Sequence, residues 1–375
     1  MKRHLSKIII MLLALSLVVV VPLSGCAGTA ETTEEVEEAV EETAEEVEEV
    51  AEEAAEEAEE VTEEAAEEAD TSNYKLASYW PAVHPYYESV KKGLAKHAED
   101  FGVEVYSQIG TDWTQPTENE QVEALIAQGY NGLMVFPLDA SGANALYEEV
   151  VAQGVYVNNY GAPTQQPTPA SFTVATDVKA AAMEATERVC EAMDYKGGIL
   201  NVLEVVTDPN TILRKEGVEE VVAKYPDVEI VQTIGDMNAI EECTEKVSNA
   251  LAAGGDSING IVTTGYNPTV ATAQILTEMK NDSIAFVGID DDPAVLKAVE
   301  QGYITGTFGQ NPYAQGYVTP LLLEHLIDGM EPKADHTFID TFGVVITQDN
   351  LDTFMDELWQ AAYDLADSAK SEYFK

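Results

Sequence analysis

From residue 75 onward, short apolar stretches of strand length alternate with helical patterns, and this alternation leaves few folds open. Strand patterns occupy residues 75–80, 103–109, 132–137 and 155–160, with helical patterns at about 85–101, 116–129 and 141–154 between and after them. A second series follows, with strands near 198–204, 228–234, 260–264 and 284–289 and helices near 178–194, 211–225, 239–253, 268–279 and 293–301. Gly129, Gly154 and Gly302 stand where a helix needs a left-handed stop. Strands that alternate with helices build parallel sheets covered on both faces. Two such series predict an α/β chain of two doubly wound parallel-sheet lobes. Ligands of such sheets bind beyond the carboxyl ends of the strands, so the residues just after each strand are the ones to read for function.

The residues ahead of the lobes set the compartment. Lys2, Arg3 and Lys7 precede an apolar run from Ile8 to Val21, and Leu23-Ser24-Gly25-Cys26 closes it. A basic start, an apolar core and a small-residue exit make a secretory signal; the run is short for a spanning helix, which needs about 20 residues. The cysteine at the exit resembles a bacterial lipoprotein signal, which implies a lipidated Cys26 as the mature N-terminus and a membrane anchor. A plain signal peptide with an incidental Cys26 is the competing reading. Residues 31–70 are almost wholly Glu, Ala, Val and Thr. Valines and alanines recur there at helical spacing, but Glu faces Glu at i,i+4, as in Glu38/Glu42, which opposes a helix. The segment lacks the apolar surface to fold alone and reads as a solvated, self-repelling spacer, partly helical at most; an acidic partner-binding tail is the lesser reading. With 68 acidic against 19 basic residues the formal net charge is −49. Such a surface repels nucleic acid and anionic lipid. Cys190 and Cys243 lie inside helical patterns; the compartment permits a disulfide, and two buried thiols are the preferred reading.

The strand ends carry the chemistry. After the first strand comes Trp80-Pro81-Ala82-Val83-His84-Pro85-Tyr86-Tyr87. Pro85 suits a first helical turn. Adjacent tyrosines there cannot both enter the core on helical periodicity, so one at least faces the cleft, where an aromatic face suits the C–H face of a sugar ring. Later strands end in Val135-Phe136-Pro137-Leu138-Asp139, Asn158-Asn159-Tyr160-Gly161-Ala162 and Val287-Gly288-Ile289-Asp290. Arg214-Lys215-Glu216-Gly217-Val218 opens a helix, and Gln310-Asn311-Pro312 precedes Gly316-Tyr317.

In order and spacing these segments resemble the extracytoplasmic sugar-binding proteins of the ribose/galactose type, from about Tyr74 to Thr347. The resemblance implies the type I periplasmic binding protein fold, two lobes joined by a three-segment hinge. It implies a partnership with an ABC permease and its cytoplasmic ATPase, a monomeric binding protein and no catalytic activity or cofactor. His84-Pro85-Tyr86-Tyr87 stands at the family's Asn-Pro-Phe-Phe position, Ala175-Thr176-Asp177 at the first crossing, and Arg214, Asp290 and Gln310 at positions that touch sugar hydroxyls. The residue chemistry agrees: Arg214 offers a planar fork of donors, ionised Asp290 only accepts, and Gln310 does both. Each has a structural alternative: Arg214 as a surface first-turn residue, Asp290 as the cap of the helix near Pro293, Gln310 as a plain hinge residue. Departures from the family pattern include Asn158 to Gly161 in place of a charged pair, Gly265-Tyr266 in place of Asn-Asp, His84 for Asn and Met237 for an aromatic. They predict a pocket with less charge and more aromatic surface than a ribose site, for a sugar, cyclitol or other polar ring. The expected ligand set is Trp80, His84, Tyr86, Tyr87, Tyr160, Arg214, Met237, Tyr266, Asp290 and Gln310. Asp290-Asp291-Asp292 are adjacent on a turn and make a poor metal site; no metal is expected. A sensory subunit for a membrane receptor is the alternative function, and a glycosidase lacks the second cleft carboxyl it needs. The division expected is a signal peptide at 1–25, a tether at 26–72, a first lobe of 73–176 plus 311–336, a second lobe of 177–310 plus 337–347, and a C-terminal helix within 348–375 that packs on a lobe.

Overall fold

A computed structural model of the chain describes residues 73–206, 208–237, 239–334 and 337–375. The signal, Cys26 and the acidic tether lie outside these residues. The first lobe opens with β1 (Leu76–Trp80), α1 (Pro85–Phe101), β2 (Val105–Ile109), α2 (Gln115–Ala127), β3 (Gly132–Val135), α3 (Gly142–Ala152), β4 (Tyr156–Tyr160) and β5 (Thr173–Ala175). The second contains α4 (Val178–Ala192), β6 (Gly197–Val202), α5 (Pro209–Val222), β7 (Val228–Ile234), α6 (Ile240–Gly254), β8 (Gly260–Thr263), α7 (Tyr266–Met279), β9 (Ala285–Ile289), α8 (Pro293–Glu300) and β10 (Gly306–Gln310). The chain returns to the first lobe as α9 (Pro312–Ile327) and β11 (Phe338–Asp340), crosses again into β12 (Gly343–Ile346), and ends in α10 (Phe354–Tyr373).

The two sheets run β11-β5-β4-β3-β1-β2 and β12-β10-β9-β8-β6-β7. All pairings are parallel except β12 against β10. The central strands β1, β3 and β8 are buried along their whole length and β6 in all but its first residue, as sheets covered on both faces require. One boundary differs from expectation. The third crossing falls after Asp340 and not at 337, because Phe338–Asp340 pairs in parallel with Thr173–Ala175. A three-residue strand is too short for its periodicity to reveal which sheet it joins. At the crossings, Thr341 N donates to Ala175 O at 3.0 Å, and Asp177 N donates to Asp340 Oδ1 at 3.0 Å.

Each lobe has its own core. Leu76, Val90, Met134 and Val174 pack with α9 residues such as Val318 and Leu322 in the first; Val202, Val247, Ile261, Leu276 and Phe286 form the second. Helix α10 belongs to both lobes: Phe354 and Leu358 pack on Ile346 of β12, while Ala362, Leu365, Ala369 and Tyr373 join the first core. Cys190 and Cys243 are free buried thiols, in different clusters of the second lobe.

Candidate functional site

Several strands lead into helices whose first turns are capped by a side chain, and these caps sit beside the cleft residues. His84 Nδ1 accepts from Tyr86 N at 3.2 Å with Pro85 in the first turn of α1. Asp208 caps α5 through Thr211 N at 2.8 Å, and Asn311 caps α9 through Ala314 N at 3.0 Å. A side-chain acceptor with Pro in the first turn satisfies the orphan N–H groups and fixes the entry angle. At β9 the cap is Asp292, which accepts from Ala294 N at 2.8 Å. Asp290 is therefore not the cap. Its backbone is left-handed at φ 68, a conformation that Asp tolerates better than most residues.

The second lobe presents a polar array. Arg214, 8% exposed, donates from Nη1 to Thr264 O at 2.9 Å and from Nη2 to Gln310 Oε1 at 3.3 Å. Gln310 Nε2 in turn donates to Asp290 Oδ1 at 2.6 Å. Arg214 Nε is buried without a partner among the described residues. Burial raises the Asp290 carboxyl above its ordinary value, against the Gln310 bond and the nearby Arg214 charge. Glu204, just beyond β6, accepts from Asn267 Nδ2 at 2.7 Å, and burial raises its carboxyl as well. The glycine at 265 makes room for it: a Cβ there would fall 2.0 Å from Glu204 Oε2. The departure from the family pattern at Gly265-Tyr266 is thus matched by a carboxylate brought in from β6.

The first lobe presents a stack of rings. Trp80 lies parallel to Tyr87 at 5.7 Å between centroids and 11° between planes. Tyr87 meets Tyr86, Phe136 and Tyr160 edge to face, the arrangement that ring quadrupoles favour. Trp80, Tyr87 and Tyr160 are almost wholly buried, and Tyr160 Oη donates to Tyr79 O at 3.1 Å. Tyr86 is the less buried of the tyrosine pair, and its hydroxyl donates to Gln315 Oε1 at 2.5 Å. Gly161 has φ 74, and a Cβ there would strike the Phe136 ring at 2.6 Å. At the rim, Trp113 approaches Tyr87 to 6.4 Å yet remains 55% exposed.

Among the described residues, two contacts join the walls. Asn210 Nδ2 of the second lobe donates to Gly161 O of the first at 3.3 Å. The His84 ring meets the Tyr266 ring edge to face at 5.1 Å; the Tyr266 hydroxyl donates to Asp292 Oδ2 at 2.6 Å, and burial lowers the His84 pKa.

A family model described as periplasmic binding protein domain matches residues 77–331. The chain belongs to this family. It is 25% identical over 269 residues to a xylitol-binding protein of Mycolicibacterium smegmatis, covering 72% of this chain and 75% of that one. Among solved structures it resembles a solute-binding protein from Burkholderia graminis in complex with D-arabinose, with TM-score 0.69, 22% identity, and coverage of 76% of this chain and 99% of that chain. It also resembles one from Bacillus halodurans with bound myo-inositol, with TM-score 0.67, 18% identity, and coverage of 79% and 100%. The fold is that of the type I periplasmic binding proteins, of the ribose/galactose sugar-binding type.

Within this periplasmic binding protein, nine of the ten expected ligand positions fall in the two facing walls: Trp80, His84, Tyr86, Tyr87 and Tyr160 in one, Arg214, Tyr266, Asp290 and Gln310 in the other. Met237 is fully buried in the second core, on which Tyr266 also packs, so its observed contacts are those of core packing. Cys26 lies outside the described residues. Among the described residues, no group of three or more His, Cys, Asp or Glu is placed to hold a metal ion. Four residues of the walls escaped sequence reading: Phe136, Trp113, Glu204 and Asn210. Phe136 and Glu204 follow strands directly and carried that signal. Trp113 lies in a loop and Asn210 in the first turn of α5, and only folding brings them to the cleft.

Proposed function

We propose that the chain is an extracytoplasmic, lipid-anchored substrate-binding protein that captures a monosaccharide or cyclitol between closing lobes. It then delivers the ring to an ABC permease powered by a cytoplasmic ATPase, working as a monomer and without catalysis. The observation that carries this reading is the Arg214–Gln310–Asp290 array facing an aromatic wall. A sugar ring has an edge of hydroxyls and faces of C–H groups. The buried Arg214 Nε supplies a donor to a hydroxyl oxygen, Asp290 accepts from a hydroxyl, and the Tyr86 ring offers a face for the C–H side. Relatives named for xylitol, D-arabinose and myo-inositol fit the same class of ligand. Because the polar array and the rings stand on different lobes, a ligand that bridges them binds the closed state more tightly than the open one. That difference is what shifts the equilibrium toward closure.

A thermal-shift screen of the mature chain over pentoses, hexoses, pentitols and cyclitols tests the reading, since a native-state ligand raises apparent stability. At least one polyol is expected to raise the melting temperature and to yield a saturable binding isotherm. A response to none of them sinks the sugar reading. The anchor has its own check: mass spectrometry of membrane-extracted protein is expected to find acyl chains on Cys26, and an unlipidated N-terminus downstream of it overturns that part alone.

A further inference from the structure

Two carboxylates stand on the second-lobe wall, and the hydrogen bonds around them leave acceptors unfilled. Asn267 gives Glu204 two bonds, from N at 3.4 Å and from Nδ2 at 2.7 Å, and both go to Oε1. Glu204 Oε2 lies against Gly265, where a Cβ would fall 2.0 Å away, and among the described residues no hydrogen bond reaches it. Asp290 is met by Gln310 at Oδ1, and its Oδ2 is likewise unfilled among the described residues. Asn210 Oδ1 is buried without a partner, while Nδ2 of the same amide is taken by Gly161 O. Glu204 is tied to the array through Thr264, whose Oγ1 accepts from Glu204 N at 3.3 Å and whose O accepts from Arg214. The guanidinium gives its terminal nitrogens to Thr264 O and Gln310 Oε1, both neutral, so among the described residues neither carboxylate is in an ion pair. Burial raises both carboxyls, and the Asp290 charge raises Glu204 further, against the Asn267 bonds and the Arg214 charge. A cation brought between them relieves both.

We propose that the cleft selects a ring polyol bearing a protonated amine, and that Glu204 determines this specificity by accepting from the ammonium through Oε2. The inference rests on the polyol reading of the cleft and narrows it: the ring hydroxyls remain with Arg214 Nε and Asp290, and the nitrogen goes to Glu204. The reason is a mismatch of donors and acceptors. Glu204 Oε2, Asp290 Oδ2 and Asn210 Oδ1 wait for donors, whereas the guanidinium leaves one buried donor, Arg214 Nε, without a partner. A hydroxyl brings one donor and two lone pairs, but an ammonium brings three donors and no acceptor. It also brings the charge that two carboxylates beside one guanidinium lack. A bond charged on both sides is stronger than one from a neutral hydroxyl, and more so in a site walled from water. The facing wall does not oppose it, because the face of an aromatic ring attracts a cation.

The test is calorimetric titration of the mature chain at pH 7 with pairs that differ in one group. Aminodeoxyhexoses carrying the nitrogen at C2, C3 or C6 are each set against the parent hexose, and aminodeoxy-inositol against myo-inositol. In the best-binding pair the amine is expected to bind about tenfold or more tightly than its hydroxyl counterpart. Glu204→Gln keeps the side-chain shape and an acceptor for Asn267 but removes the charge, and it is expected to bring the two affinities to within about twofold of each other. Glu204→Asp, which withdraws the carboxylate by one carbon and is expected to shrink the preference, serves in its place if the glutamine variant loses its cooperative melting transition. Equal or tighter binding of the hydroxyl member of the best-binding pair overturns the proposal. So does an amine preference that Glu204→Gln leaves intact, or a loss in that variant shared equally by amine and hydroxyl. Binding of no member of any pair is a different failure, for it removes the sugar reading on which the amine depends.

Discussion

The two walls of the cleft are built on opposite principles. The first-lobe wall is continuous with its core: Trp80, Tyr87 and Tyr160 belong to the same cluster as Leu76 and Met134. The second-lobe wall is mainly a chain of hydrogen bonds from Thr264 through Arg214 and Gln310 to Asp290, with the Tyr266 ring beside it packed on the second core. Large buried rings contribute chiefly to stability; a polar array that keeps a buried donor without a protein partner is costly to the fold and is useful only to a ligand. The difference teaches that residues facing one cleft need not share a purpose. Removing a ring is expected to harm the fold first, and removing a polar group is expected to harm binding first.

The largest effect expected is on stability. Trp80→Ala removes a ring that is 1% exposed and stacked on Tyr87, and is expected to cost about 3–5 kcal/mol in chemical denaturation, as large-to-small core changes do. A loss below about 1 kcal/mol would show that the aromatic wall is a ligand platform and not core. Arg214→Ala and Asp290→Ala are expected to do the reverse. Each deletes a charged hydrogen-bonding partner, with a cost to polyol affinity of ~1.5–3 kcal/mol, roughly ten- to over a hundredfold, and a melting temperature little changed. Unaltered affinity in both variants, measured by calorimetry, would break the comparison from the polar side.

The third prediction concerns a polar exception inside the ring-bearing lobe. Glu118 of α2 is fully buried; its Oε2 accepts from Leu138 N at 2.9 Å, while Oε1 has no partner among the described residues. Burial pushes its carboxyl up to about 7 from an ordinary 4.5. The folded state therefore holds a proton between these values that the unfolded state has released. Stability is expected to fall as pH rises from 4.5 to about 7 and then to level off with respect to this group. Glu118→Gln keeps the acceptor for Leu138 N and removes the charge. Denaturation at pH 5 and pH 8 is expected to show a flatter pH dependence, with a gain of about 2 kcal/mol at pH 8. An unchanged slope would mean that Glu118 is ionised and solvated in the folded chain.

What the sequence determined by itself was whatever repeats over a helix turn or a strand pleat. The central strands announced themselves as apolar runs between helices, and α10 was legible from Phe354, Leu358, Ala362 and Leu365 along one face. Helix α9 was not, because almost every residue from Tyr313 to Leu326 is buried; a helix covered on all sides has no polar face to give it a period. The short strands β5 and β11 were missed because three residues carry no periodicity. Asp290 was legible as a strand-end carboxylate, yet only the structure assigned the cap to Asp292 and left Asp290 in the array. Glu204 meets Asn267 across 63 residues of chain, and α10 reaches the hinge through a bond from Asn311 to Leu358. Local pattern reports which face of an element is apolar. Which distant elements meet at that face is settled by packing two sheets and one shared helix, and that is where the cleft was decided.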